Sequence, residues 1–148
     1  MIRRSRLAVL FGIALVASVA SGCSQMPFHD DSYKTEIPAA LEAADLGITD
    51  AWADVRLSGF TETLSIGGTL NAVQQPSSEV APELVAEILG VALESRSLPM
   101  SYVDVSLRDA DSDLLDVEPT LTALGASPRG DGSITMDEAR KIAEEAGR

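Results

Sequence analysis

The only cysteine in this 148-residue chain, Cys23, closes an N-terminal segment that cannot belong to the folded body. Arg3, Arg4 and Arg6 head the segment, and Leu7 to Ala20 comes next as 14 residues without a charge. A positive head, an apolar middle and a small-residue end make the tripartite plan of an export signal. As a helix the apolar run reaches ~21 Å, short of the ~30 Å of hydrocarbon that a spanning helix must cross. A removed signal therefore confines the fold to the residues after Gly22. With its one cysteine at the boundary, that fold has no disulfide to lean on, unlike many small exported domains.

The residues at the boundary are Ala20-Ser21-Gly22-Cys23. Three small side chains before a cysteine lie easily in a peptidase cleft, and the stretch resembles the lipobox of bacterial prolipoproteins. It departs from the commonest pattern at Ala20, where leucine is usual. The resemblance implies a diacylglyceryl group on the Cys23 sulfur, cleavage between Gly22 and Cys23, and an extracytoplasmic protein anchored to the bacterial cell membrane. One acyl chain holds a protein only marginally and two hold it firmly, so a diacylglyceryl (palmitate-type) cysteine would be a durable anchor. The other readings are an ordinary cleaved signal with an incidental cysteine, or a short uncleaved anchor.

Cleavage would remove three arginines and no acid. The remaining 126 residues, enough for one domain, would carry 8 basic and 23 acidic side chains, taking the net charge from −12 to −15. Such a balance argues against nucleic acid, which needs clustered Lys and Arg, and against the body lying flat on anionic lipid. Solubility in a salty exterior is the plainer account.

The expected organisation is a signal at 1–22, a lipidated N-terminus and flexible tether at 23–36, and one α+β domain at 37–148. The tether residues after the cysteine span ~20 Å as a coil. His29, the sole histidine, falls there with Asp30 and Asp31, a poor ligand set for a metal. Pro38 to Leu46 reads as a short helix stopped by Gly47. Ala53, Val55 and Leu57 alternate with polar residues as a half-buried strand, and 59–63 turns the chain. A second alternation places Leu64, Ile66, Leu70 and Ala72 on one face. Gly67-Gly68 either forms a bulge inside this strand or a two-residue hairpin turn; the unbroken parity of the apolar face favours one strand.

After a loop at 74–78 with Ser77 or Ser78 as cap, Glu79 to Arg96 carries apolar residues at three- and four-residue steps, with Pro82 in its first turn. Met100 to Arg108 reads as a third strand. Asp109 to Asp113 is a turn, Leu114 to Leu124 a helix kinked or restarted by Pro119, and Thr135 with Glu138 a capping box for a last helix to Ala146. Each strand has one apolar face, so the expected fold is a two-layer α+β sandwich. It has a three-stranded, mainly antiparallel sheet, helices on one face, and a small C-terminal helical appendage. The α-β-β-α-β order is similar to that of the BON domain of bacterial envelope proteins. The whole chain also resembles small lipoproteins of unassigned function from high-GC Gram-positive bacteria; neither likeness carries active residues.

Candidate sites are few. Asp109-x-Asp111-x-Asp113 opens like a calcium loop, but an EF-hand needs glycine at its sixth place and glutamate at its twelfth, where this chain has Leu114 and Thr120. The stretch around Asp131-Gly132, Ile134 and Glu138 resembles the second half of such a loop, yet its first and third places are Ser127 and Arg129. The first is better explained as a strand-to-helix turn whose carboxylates cap the next helix, and the second as a capped helix. Arg129-Gly130-Asp131 matches an adhesion tripeptide too short to count. A lone tether histidine and a lipidated cysteine offer no nucleophile–base pair, and no phosphate loop or dinucleotide motif is present. The sequence thus points to no catalytic residue, metal or cofactor. The expectation is a binding or scaffolding module with an envelope protein partner. The alternatives are a carrier of a small apolar ligand between helix 79–96 and the sheet, and a weak cation-binding or small hydrolase domain.

Overall fold

The computed structural model describes residues 31–71, 80–94 and 98–147. Gly22, Cys23, His29, most of the tether, Ala72 and the loop at 74–78 lie outside the described residues. The elements run α1 (Tyr33–Ala43), β1 (Ile48–Ser58), β2 (Thr61–Leu70), α2 (Pro82–Glu94), β3 (Tyr102–Arg108), α3 (Glu118–Ala123), β4 (Ile134–Thr135) and α4 (Met136–Ala146). The broad class is the expected α+β. The sheet, however, has four strands in the order β1-β2-β3-β4, and it is mixed.

The structure corrects three expectations, each for a physical reason. First, β1 and β2 are an antiparallel hairpin, but β2 and β3 are parallel. A helix placed between two neighbouring strands carries the chain back to the starting end, so the second strand runs the same way as the first. Second, Ile134 and Thr135 pair antiparallel with Val103 and Tyr102, adding the fourth strand. Two residues carry no period, so no sequence pattern announces them. Third, the C-terminal segment is no appendage: Met136, Ala139 and Ile142 of α4 are buried in the common core.

Helix α1 begins at Tyr33, before the expected Pro38, and passes through that proline. Tyr33, Ile37 and Leu41 recur every four residues and are all buried, which outweighs the hydrogen bond that Pro38 cannot donate. Residues 33–36, read as tether, are thus the first turn of α1. The helix runs antiparallel beside the outer edge of β1: the Ala51 N–H donates to Glu42 Oε1 at 3.1 Å, and Lys34 Nζ lies 3.5 Å from Asp54 Oδ1. It thereby blunts an edge that would otherwise invite another chain. Helix α3 is shorter than expected because Pro119 starts it rather than kinks it; Leu114 and Leu115 instead lie extended beside the end of β3.

The single-strand reading of Gly67-Gly68 is correct, but the bulge lies across from them. Register slips between Thr49 and Trp52 of β1, where Asp50 and Ala51 oppose Gly68 alone. Both glycines are forced by close neighbours. A Cβ on Gly67 would strike the Ser106 carbonyl and lie 2.7 Å from the Trp52 ring; one on Gly68 would lie 3.1 Å from the Thr49 carbonyl. The core between helices and sheet is filled by Val85, Ile88, Leu89 and Ala92 of α2 against Leu64, Ile66, Val103 and Leu107, all fully buried.

Candidate functional site

The outer face of the sheet, away from this core, is polar and ordered in rows. Across the strands run Arg56, Thr63, Tyr102 and Thr135; then Asp54, Ser65 and Asp104; then Trp52, Gly67 and Ser106. Strand alternation puts all of them on one side. Central β2 contributes only small groups here, and longer chains from its neighbours roof them. Arg56 reaches diagonally over β2: its Nε donates to Ser65 Oγ at 2.8 Å and its Nη2 to Asp104 Oδ2 at 2.7 Å. Asp104 is the sheltered partner, with its side chain 13% exposed against 58% for Arg56. One row down, the Arg129 guanidinium stacks over the Tyr102 ring at 4.1 Å from its centre, a cation–π contact.

The far edge of β3 is covered twice, with a gap between. At one end β4 pairs with residues 102–103, and the Met136 N–H donates to the Ser101 carbonyl. At the other, the Leu115 N–H donates to the Leu107 carbonyl and the Asp109 N–H to that of Asp113. Odd-numbered residues of β3 thus aim their backbone groups at this edge. The same parity turns the N–H and C=O of Val105 toward the gap.

A groove of about 400 Å³ opens there, floored by Arg56, Asp104 and Ser106 and rimmed by Leu114 to Glu118, Leu121, Asp131 and Gly132. One arginine faces four carboxylates: Asp104, Asp116, Glu118 and Asp131. The Asp131 carboxyl is held below its usual range by the Ser133 hydroxyl and N–H that donate to it, so it stays ionised. The groove therefore favours a cationic ligand group. Ser106 Oγ also donates to Asp104 Oδ2, at 3.4 Å, so that oxygen is shared between the hydroxyl and the Arg56 guanidinium.

The acidic motifs singled out in the sequence are internally tied turns. Asp109 Oδ1 accepts from the N–H groups of Asp111 and Asp113 at 2.9 and 2.8 Å. It closes its own turn, rather than capping the next helix, which Asp116 does from nearer by accepting from the Glu118 N–H. Asp131 closes the 129–133 turn, and the Arg129 of the adhesion-like tripeptide is spent on Tyr102. Thr135 and Glu138 form the expected capping box, with Glu138 also accepting from the Ser127 N–H at 3.0 Å. Those donors lower the Glu138 carboxyl. Among the described residues no group of three or more His, Cys, Asp or Glu is placed to hold a metal ion, and no helix is long and apolar enough to cross a membrane.

Sequence reasoning missed Arg56, Asp104, Tyr102 and Arg129 as a set. Arg56 and Asp104 stood out only as polar members of two alternations, and their meeting depends on the parallel register of β2 and β3. No protein-family model matches the chain, and no curated protein or solved structure is similar to it.

Proposed function

We propose that this chain is a lipid-anchored, non-catalytic binding module of the bacterial cell envelope, held at the membrane by an acylated Cys23. Its groove beside β3 takes a basic, extended segment of another envelope protein. The observation that carries this reading is where the free space lies. Among the described residues the apolar layer between α2 and the sheet is packed with buried side chains, whereas an open, polar groove sits on the opposite side at an uncovered stretch of strand. A carrier of an apolar ligand needs the reverse arrangement. An extended peptide could bond to the Val105 backbone as an added strand, while Asp116, Glu118 and Asp131 receive its cationic side chains. The acidic surplus would speed that encounter and make it sensitive to salt.

The test is a photo-crosslinking residue in place of Leu114, which is 67% exposed on the groove rim, in cells carrying the full chain. The expected result is one discrete protein adduct that weakens at high salt and disappears with Asp116→Asn, Glu118→Gln and Asp131→Asn combined. A Leu114 probe that yields no adduct, or one indifferent to those substitutions, refutes the groove. The anchor is tested apart, by palmitate-analogue labelling of wild type against Cys23→Ala. An unlabelled wild type refutes it.

A further inference from the structure

The β1–β2 hairpin ends in an exposed apolar tip at the same end of the molecule from which the chain leaves toward Cys23. Phe60 is fully exposed and Leu57 is 70% exposed. Neither packs on the body, and the tip 57–61 reads Leu-Ser-Gly-Phe-Thr, without a charge. Beside it lies a second uncharged stretch, Leu98-Pro99-Met100-Ser101, tied to the hairpin base where the Ser101 N–H donates to the Glu62 carbonyl. Since α1 runs antiparallel to β1, its first turn sits level with Asp54, which Lys34 meets. Ser58 stands four residues beyond Asp54 along β1, about 13 Å further on at ~3.3 Å per residue. The hairpin tip thus projects past the start of α1.

The opposite end of the sheet has the opposite character. It is where β1 begins and where β2 and β3 finish, and it carries Asp50 in the β1 bulge and Asp45, Asp109, Asp111 and Asp113 in its loops. The tip 57–61 is thus uncharged and apolar, with Glu62 at its base and Asp137 and Arg140 beside residues 98–101, whereas the far end carries a concentration of aspartates. Nine residues, Ser24 to Ser32, separate Cys23 from α1. Even fully drawn out, that connection spans no more than about 36 Å, so an anchored body cannot leave the vicinity of the head groups.

We infer that the hairpin tip, through Phe60 and Leu57, inserts into the interfacial layer of the same membrane that holds the acylated Cys23, standing the domain on its apolar end. This deepens the anchor half of the proposed function and rests on it. The occupant is a lipid surface for three reasons. The chain leads to the lipidated residue from this end, the tip is free of charge, and the acidic loops point the other way, where an anionic surface does not repel them. An exposed aromatic with an aliphatic neighbour is the kind of group that settles at the head-group boundary. Contact through one end also agrees with a strongly acidic body that would not lie flat.

The experiment uses the full lipidated chain, purified and reconstituted in phosphatidylethanolamine–phosphatidylglycerol vesicles. A bimane fluorophore is placed on Ser58→Cys, beside the intact Leu57 and Phe60, or on Ala110→Cys at the acidic end. Both positions are exposed. The expected result is several-fold stronger quenching of the Ser58 probe by nitroxide-bearing lipid than of the Ala110 probe, with the reverse order for iodide in the water. In the Leu57→Ser, Phe60→Ser background the lipid quenching of the Ser58 probe falls to that of Ala110. Equal iodide quenching at both sites overturns the inference. So does an iodide-protected Ser58 probe that lipid nitroxide leaves bright, since that marks cover by protein or a second copy. Intact mass separates the two readings: a chain without the diacylglyceryl mass refutes the anchor, whereas a lipidated chain with a wet tip refutes only the insertion.

Discussion

Replacing Gly67 by alanine tests the outer sheet face on which the groove is built. The added Cβ would meet the Ser106 carbonyl on one side and lie 2.7 Å from Cε2 and Cζ2 of Trp52 on the other. The two contacts differ in how easily they yield. Trp52 is 38% exposed and can swing outward; the carbonyl belongs to the parallel ladder, so relief means parting β2 from β3 or twisting both. Overpacking of this kind costs about 1–3 kcal/mol, and a clash with backbone puts it near the top of that range. Against it stands a gain of about 0.5–1 kcal/mol from removing a glycine from the unfolded chain. The net expectation is a loss of about 2 kcal/mol. In urea unfolding tracked by circular dichroism, a slope of about 1.5 kcal/mol per molar turns that into a midpoint lower by over ~1 M. Trp52→Ala combined with Gly67→Ala restores the ring's share of the loss and leaves the carbonyl's. Gly90→Ala in α2 is the control, since nothing lies within 4 Å of its added Cβ; it stabilises by up to about 1 kcal/mol. A Gly67→Ala protein as stable as wild type refutes the packing described for this face.

Thr135→Ala removes the acceptor of the Glu138 N–H and one donor to Glu138, and lowers stability by about 1 kcal/mol in the same assay. The Glu138 carboxyl is depressed in the folded protein, so its contribution is full above the unfolded glutamate value of about 4.3 and is lost as pH falls through the folded value. Glu138→Gln therefore destabilises at pH 7 and differs little from wild type in strong acid, as denaturation across that range would show. Ile88→Ala opens a cavity in the filled layer between α2 and the sheet and costs about 2–5 kcal/mol; a loss below ~1 kcal/mol would mean the layer was not filled. Arg56→Ala strands the sheltered Asp104 carboxylate and costs about 1–3 kcal/mol, part of which Asp104→Asn returns in the double variant.

The elements legible in the sequence are those whose periodicities are clean. Helix α2 and strand β3 each carry one unbroken period, and both lie near where expected. β1 does not: Ile48 and Ala53 both face the core although they stand five positions apart, an odd step, because the bulge at Asp50 and Ala51 resets the alternation. The readable part therefore began only at Ala53. Leu57 continues the inward parity yet is exposed, since it lies beyond the body near the hairpin tip. Parallel pairing of β2 and β3 was implied by the strand–helix–strand order but not by any residue. The groove depends on that pairing, on the two-residue β4 and on the fold-back of Leu114 and Leu115, none of which has a local signature. The turns of Asp109 and Asp131 were legible as turns because carboxylates that accept from their own following N–H groups are a local matter.

The hairpin and the groove bear on one another through the sheet. Val105 pairs with Ile66, which lies six residues from Phe60 along the hairpin, so the groove sits about 20 Å above the tip at ~3.3 Å per residue. A domain standing on Phe60 would hold the groove just outside the head groups, opening sideways along the membrane. A basic segment near the membrane surface is attracted both by anionic lipid and by the groove's carboxylates. About 20 Å exceeds the ~8 Å screening length of physiological salt, so the lipid does not compete at the groove itself. The two sites would thus divide the work between position and capture. Loss of tip insertion should then leave the isolated groove intact while weakening crosslinking to a membrane-bound partner, and loss of the groove carboxylates should leave orientation unchanged.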